Sequence, residues 1–424
     1  MDETLLTNLT GTRDILPEEI SSWHLVEDAA QEIFARYGFQ EIRSPLLEAT
    51  ELFARGIGGD TDIVGKEMYT FQDQSGKSVS LRPEATASTV RAYLQHTMHR
   101  GAGLTKLYYI GPMFRHEKKQ KGRWRQFYQI GAEALGSDHP AIEAEVIEML
   151  LHFLESLEVK SRLLINSVGD GNCRPQYVEL LRRELEGHQA GLCVDCRRRT
   201  EINPLRVLDC KVESCQPIIA LLPKIADHLC ADCDTHFERV KSHLTECGIS
   251  FEIMPRLVRG LDYYVKTAFE IVSGELGAQN ALVGGGRYDG LAEVLGGPRV
   301  PGFGFAMGLD RLVMILPQHV HARGKQLPEI YLAQMGDAAF ARARSIARML
   351  RNKGFACHLE FSGGSLKSQM RQANRVGARN VLIIGEDELA HDRYPIKCME
   401  DSTQQEIAPA EIEGYLTRQR ESRR

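Results

Sequence analysis

At 424 residues, with 43% hydrophobic and 26% charged side chains, the chain has the composition of an ordinary globular protein large enough for roughly two or three domains. Its formal net charge of −5 argues against a protein that coats nucleic acid non-specifically, yet leaves room for a local basic patch that meets phosphate. No apolar run is long enough to span a bilayer, and the acidic start "MDETLLTNLTGTRDILPEE" lacks the features of a signal or transit peptide, so no membrane role and a cytosolic location are expected.

In chain order, "SSWHLVEDAAQEIFARYGF" repeats apolar residues at helical spacing through Trp23, Val26, Ala30, Ile33, Phe34 and Tyr37, with Gly38 placed to stop the helix. "LRPEATAS" sets Glu84 and Thr86 at the start of a second helix. The extended runs "LTKLYYIG" and "RWRQFYQIGAEAL" follow, joined by a charged, Gly-containing loop, and then a helix in "PAIEAEVIEMLLHFLESLEV" aligning Ile142, Val146, Met149, Leu150, Phe153 and Leu157. Strands and helices in blocks predict an α+β fold with an antiparallel or mixed sheet. From 170 to 250 the composition shifts to Cys, Arg and helix-like segments, which reads as an inserted subdomain dividing the core into 1–169 and 251–320. Glycine-rich extended sequence returns in "ALVGGGRYDGL" and "GFGFAMGLDRLVMIL", and "PQHVHARGKQLP" has linker character. Beyond it, residues 328–424 alternate strand and helix, with Asp337 capping "AAFARARSIARMLRNK" and Gly354 at its end, which predicts a small separate domain with a largely parallel sheet.

None of the ten cysteines precedes Cys173, and six fall between Cys193 and Cys233. The pairs Cys193/Cys196 and Cys230/Cys233 have the spacing of a tetrahedral metal site, with Cys210 and Cys215 as spare ligands. Free thiols in a variable insertion compete with a structural zinc and are the favoured reading, so no metal site is assigned.

The chemistry concentrates in "GPMFRHEKKQKGRWRQFYQIGAE", where six basic side chains and one acid lie between Arg115 and Arg125. If the run after this loop is a strand, its period of two places Arg125, Phe127, Gln129, Gly131 and Glu133 on one face: a cation, an aromatic plate, an amide and a carboxylate. Arg115 and Glu117 pair in the same way across the loop. Such a face can stack a base, fork onto phosphate and accept N–H groups from a small cationic ligand. A solvated hairpin tip is the plain alternative, as a favourable acid at a helix N-terminus is for Glu84. "GFGFAMGLDRL" leads into a helix carrying Arg311 in its first turn, an arrangement suited to polyphosphate.

Together these stretches resemble the class II aminoacyl-tRNA synthetases. "FRHE", the basic loop and "RQFYQIGAE" resemble motif 2, "GFGFAMGLDRL" motif 3, and "RSPLLE" with Pro45 motif 1, the dimer-forming element. "LVRGLDYY" and "GGGRYDGL" are similar to the signatures of the histidyl branch. The resemblance covers nearly the whole chain. It implies a six- or seven-stranded antiparallel sheet with flanking helices, a C-terminal α/β anticodon-binding domain and a homodimer; the helical Cys-rich insertion read from composition is the larger departure, because the family's chemistry requires no zinc. Ala85 stands where the family usually has Gly, and Trp124 and Tyr128 where Tyr and His are frequent; neither removes a named contact.

The implied reaction joins histidine to ATP, releasing pyrophosphate, and then moves the histidyl group to the 3′ end of the histidine tRNA. By the resemblance, Arg115 bridges the α-phosphate and the substrate carboxylate, and Arg259 is a second cation there. Phe127 stacks on adenine, Glu117 meets its edge, and Arg123 and Arg311 hold the terminal phosphates with Mg²⁺. Glu84, Thr86 and Gln129 grip the α-amino group, while Glu133, Tyr264 and neighbouring Tyr263 face the imidazole; packed aromatic core is the alternative for one of the two tyrosines. Gln120 and Arg125 match residues that read the tRNA acceptor end. A rival reading is the non-catalytic paralogue that regulates ATP phosphoribosyltransferase, which typically lacks the anticodon domain and the catalytic arginines. Here Arg115, Arg259 and Arg311 are all present.

Overall fold

The structure, a computed structural model, describes residues 5–422 apart from 60, 62, 102, 118–121, 277–280, 324–326 and 362. The chain divides into two compact units, Met1–Gly324 and Lys325–Arg424.

The main sheet of the first unit has eight strands: β1 (Gln40–Glu41), β2 (Thr105–Phe114), β3 (Gln126–Leu135), β4 (Arg162–Ser167), β5 (Phe251–Ile253), β6 (Val265–Val272), β7 (Ala281–Arg287) and β8 (Gly302–Gly308). They lie in the order β1-β2-β3-β8-β7-β6-β4-β5. The six inner strands are antiparallel throughout. The count exceeds the expected six or seven because two very short strands, β1 and β5, add in parallel at the edges.

One face of the sheet is covered by two amphipathic helices, α1 (Pro17–Arg36) and α3 (Ala141–Ser156), while α2 (Thr86–Gln95) lies between them in sequence. Helix α1 begins on Pro17, whose fixed φ suits the first turn, and ends before Gly38, at φ +80°. Its buried Trp23, Val26, Ala30, Ile33 and Phe34 share one core with Ile142, Val146, Met149, Leu150 and Phe153 of α3 and with Ile130, Ala132, Phe303, Phe305, Phe269 and Ile271 from the strands. Because strand side chains alternate, the intervening residues Phe127, Gln129, Gly131, Glu133, Gly304 and Glu270 belong to the opposite face. That face holds polar side chains and glycines where the other holds the apolar core.

The insertion leaves the sheet after β4 and runs through short helices around a small core of Tyr177, Leu181, Leu185, Val207 and Ile219, with Cys196, Cys210 and Cys215 among them. It returns along α4 (Ala231–Glu246), whose Phe237, Val240 and Leu244 join the main core. A buried charge network ties this return to the sheet: Glu143 of α3 accepts from Arg287 Nε at 2.5 Å and faces His236 Nε2 at 2.6 Å, while Arg287 also reaches Asp289 at 3.0 Å. Although burial alone would raise its pKa, Arg287 and His236 hold the Glu143 carboxyl below its ordinary value.

In the second unit Cys357–Leu359, Ile330–Gln334 and Asn380–Ile384 run parallel, but Tyr394–Cys398 and Gln404–Ile407 complete the five-stranded sheet antiparallel. The sheet is therefore mixed where a largely parallel one is expected. A tight connection in which Asp401 accepts from the Thr403 amide joins the last two strands, and two strands so joined can only pair antiparallel. Asp337 is the first residue of its helix, with Gly336 in the capping position, so it acts as a first-turn acid. Gly354, at φ +79°, follows that helix as expected.

Candidate active site

The face of the sheet opposite α1 and α3 is opened by glycines. A Cβ at Gly304 would lie 1.8 Å from Glu133 Oε2, one at Gly131 2.3 Å from the Tyr109 hydroxyl, and one at Gly284 1.9 Å from an Arg259 guanidinium nitrogen. Register explains the first two, since Glu133 pairs with Gly304 and Gly131 with Tyr109. Each glycine makes room for a polar side chain on a neighbouring segment.

Glu133 is fully buried. Its carboxylate accepts from the Thr86 hydroxyl at 2.7 Å, the Tyr109 hydroxyl at 3.3 Å and, over a short contact, the Tyr288 hydroxyl. Burial pushes its pKa up to about 8, against the pull of those donors, with the nearby Glu84 charge adding to the rise. Glu84 is buried too, and its oxygens cap α2 by accepting from the amides of Thr86 at 2.6 Å and Ala87 at 3.0 Å. Burial raises its pKa, and these amides moderate the rise. The wall is aromatic: Tyr263 lies 4.7 Å from Tyr264 and 5.6 Å from Tyr288 between ring centroids. Burial lifts the Tyr109, Tyr263 and Tyr288 hydroxyls well above the usual phenol value, so they remain donors at neutral pH.

Beside this pocket, a cleft of about 330 Å³ is lined by Arg115, Glu117, Arg123, Phe127, Gln129, Arg259, Glu270 and Arg311. Arg115 donates Nε–H to the Pro83 carbonyl at 2.8 Å and lays its guanidinium over Phe127, 5.4 Å from the ring centroid. Glu117 holds Arg123 at 2.7 Å and stands 3.8 Å from Arg115. Arg259 forms a short ion pair with Glu270 and lies 5.9 Å from the Tyr264 ring. Burial, and after it the charge of Arg123, lowers the Arg311 pKa. Two guanidinium groups close enough to oppose each other's charge suit an anion of high charge. Gln129 Oε1 is buried with no hydrogen-bond partner among the described residues, an acceptor whose desolvation a ligand donor would offset.

A pocket for a small N–H-bearing ligand thus adjoins a cationic cleft on one glycine-opened sheet face. The histidyl-tRNA synthetase family model matches residues 11–169 and 213–312, and the anticodon binding domain model matches residues 313–419. A histidine–tRNA ligase of Solibacter usitatus is 53% identical over 97% of this chain and 99% of its own length. This chain belongs to the histidyl-tRNA synthetase family. The histidine–tRNA ligase of Syntrophotalea carbinolica is 47% identical over 97% of this chain and 98% of its own length. The crystal structure of apo histidyl-tRNA synthetase from S. aureus superposes with a TM-score of 0.81 at 36% identity, covering 97% of this chain and 100% of that one. The fold is the family's α+β arrangement of an antiparallel-rich sheet with flanking helices.

The residues singled out in the sequence come together in two neighbouring groups. Glu84, Thr86 and Glu133 are close to one another, with Tyr263 and Tyr264 in the adjoining aromatic cluster. Arg115, Glu117, Arg123, Phe127, Gln129, Arg259 and Arg311 line the cleft. Arg125 departs from the expected face. The strand starts one residue later, at Gln126, and the Arg125 side chain packs on Gly11 and donates to the Thr10 carbonyl at 3.2 Å. Gly11 adopts φ +87°, which lets the backbone of the N-terminal segment approach that closely. Gln120 lies outside the described residues. Sequence reasoning missed Tyr109 and Tyr288, which hold Glu133, and Glu270, which holds Arg259. Strand alternation in "LTKLYYIG" and the "GGGRYDGL" signature carried signals for the two tyrosines; Glu270 had none beyond charge.

Proposed function

We propose that the chain activates histidine with ATP and transfers it to the 3′ end of the histidine tRNA. The observation that carries this reading is the buried Glu133, held by three hydroxyl groups, beside a cleft lined by four arginines. The substrate carboxylate is ionised at neutral pH, so its attack on the α-phosphorus, with pyrophosphate leaving, needs no general base. It needs two anions brought together, and Arg115 and Arg259 are the clamps that neutralise and align them. Arg123 and Arg311 take the outer phosphates, Phe127 stacks on adenine and Glu117 meets its edge. Mg²⁺ accompanies the triphosphate; Glu270 on the cleft wall offers the hard carboxylate oxygens it favours, and when bound it would draw charge from the phosphates.

Glu84, Thr86 and Gln129 take the α-amino group, and Glu133 with Tyr264 and Tyr263 takes the imidazole. An amino acid without an imidazole N–H would give the buried Glu133 carboxylate no donor beyond the three hydroxyls it already has, a loss of about 1–3 kcal/mol. The second step passes the histidyl carbonyl to a ribose hydroxyl and releases AMP, with Gln120 and Arg125 at the acceptor end. A homodimer is part of the reading, supported by Leu46 and Leu47 of the motif 1 stretch and nearby Phe71, which are exposed apolar residues. A cytosolic location goes with it, since that is where the charged tRNA is used. The test is pyrophosphate exchange into ATP with each of the twenty amino acids, tRNA absent. Exchange with histidine alone is expected; exchange with none, in a folded protein, would sink the reading in favour of a regulatory paralogue.

A further inference from the structure

The cysteines of the insertion do not group as their sequence pairs predict. Cys193 and Cys196 converge with Cys210 and Cys215, while Cys230 and Cys233 converge with Cys173 and a carboxylate, Asp170. Within each group one ligand atom per residue lies within 4.8 Å of all the others. We propose that the insertion holds two structural zinc ions, one bound by Cys193, Cys196, Cys210 and Cys215 and the other by Asp170, Cys173, Cys230 and Cys233.

The distances are those of ligands around a single small ion. With metal–sulfur bonds of about 2.3 Å, adjacent sulfurs of a tetrahedral site stand about 3.8 Å apart. Cys193 and Cys210 have sulfurs 3.9 Å apart, as do Cys173 and Cys233. Asp170 Oδ1 is 3.7 Å from the Cys173 sulfur and 3.8 Å from that of Cys230. Disulfides need about 2.05 Å between sulfurs, and a polynuclear iron–sulfur cluster needs its thiolates spread further than one ion does. Thiolate-rich tetrahedral sets select zinc among common divalent ions. Backbone amides already point at the sulfurs: Cys193 N–H at Cys215 (3.2 Å), Val212 N–H at Cys210 (3.4 Å) and Asp170 N–H at Cys173 (3.4 Å). Such donors offset thiolate charge in metal sites.

The fold gives the two ions different tasks. The four-cysteine site lies within the insertion's small core, among short helices that bury few apolar side chains, where a metal supplies folding energy that the core lacks. The second site closes the neck. Asp170 and Cys173 follow β4 directly, Cys230 and Cys233 open α4, and the two pairs are 60 residues apart in sequence. Arg174, next to Cys173, donates to the carbonyls of Val168, Gly169 and Tyr264, so the neck site also anchors the segment that carries the aromatic wall.

The test uses the full-length reduced protein. Elemental analysis after metal-free dialysis should find two zinc ions per chain. The double variants Cys193→Ser/Cys196→Ser and Cys230→Ser/Cys233→Ser should each lose one and keep the other. Should a variant fail to fold, Co²⁺ titration of the metal-stripped wild-type protein decides: strong visible bands of tetrahedral cobalt, with sulfur charge transfer, should saturate at two ions per chain. Weak octahedral spectra, or less than stoichiometric metal both as purified and after Zn²⁺ titration against a chromogenic chelator, would overturn the proposal. Saturation at one ion per chain overturns the two-site assignment.

Discussion

Glu133 lies fully buried, with its carboxyl among the hydroxyls of Thr86, Tyr109 and Tyr288. Its carboxyl titrates near 8 in the folded protein against an ordinary 4.5, so the folded chain holds this proton more tightly than the unfolded one. The stability it contributes is complete below about pH 4.5 and is lost as pH rises through about 8. Glu133→Gln mimics the protonated acid permanently. It should raise the melting temperature at pH 8.5 by about 2–5 °C with little change at pH 5, while lowering histidine-dependent pyrophosphate exchange by about 100-fold or more. Equal thermal shifts at the two pH values would remove the buried-acid argument. An imidazole N–H favours the carboxylate, so histidine binding near neutrality should release a proton, and affinity should rise from pH 7 to 8. Isothermal titration in buffers of different ionisation enthalpy reads that proton directly. Arg259 belongs to the same scale: Arg259→Ala should lower the adenylation rate by about 100-fold or more, measured by single-turnover quench. A change confined to the KM for histidine would place Arg259 in ground-state binding instead.

At the scale of elements, the site depends on what the strands omit. Strands β3, β7 and β8 each place a glycine where a side chain from a neighbouring segment must lie, and this clears one face of the sheet while the other stays packed against α1 and α3. Gly304→Ala is the sharpest case, because the new methyl would sit 1.8 Å from Glu133 Oε2. The methyl would also lie 2.5 Å from the Ala132 carbonyl oxygen, so the melting temperature should fall, and in preparations whose far-ultraviolet circular dichroism stays native, histidine affinity should fall by about 10-fold or more as the carboxylate is displaced. Unchanged affinity in the folded variant would show that Glu133 can relocate freely. The glycine-rich character of "GFGFAMG" and "VGGGR" was legible in the sequence. Which glycine faces which carboxylate or guanidinium was not, because that needs the register of β3 against β8.

For the whole molecule, each unit has a hydrophobic core of its own: Trp23, Phe34 and Phe153 lie in the first, and Ile330, Leu350 and Ile396 in the second. A chain ending at residue 323 should therefore keep histidine-dependent pyrophosphate exchange within about threefold. It should lose most tRNA charging, by about 100-fold or more, if the anticodon binding domain supplies its share of RNA affinity. Exchange and aminoacylation assays on the same preparation separate the two losses. Charging at the full rate would remove the second unit from RNA recognition.

By itself the sequence determined the fold class, the separate C-terminal unit and many of the polar residues that line the pocket and the cleft. Helical and strand periods mark local faces, and the motifs keep chemically necessary residue types at short spacing. Only the tertiary structure decided how distant segments meet. It grouped Cys193 and Cys196 with Cys210 and Cys215, drew Asp170 and Cys173 to Cys230 and Cys233, set Tyr109 and Tyr288 on Glu133, and turned Arg125 toward Gly11. Each of these is a juxtaposition across turns or strands whose register and closure no local pattern encodes, because it is settled by how the whole core packs.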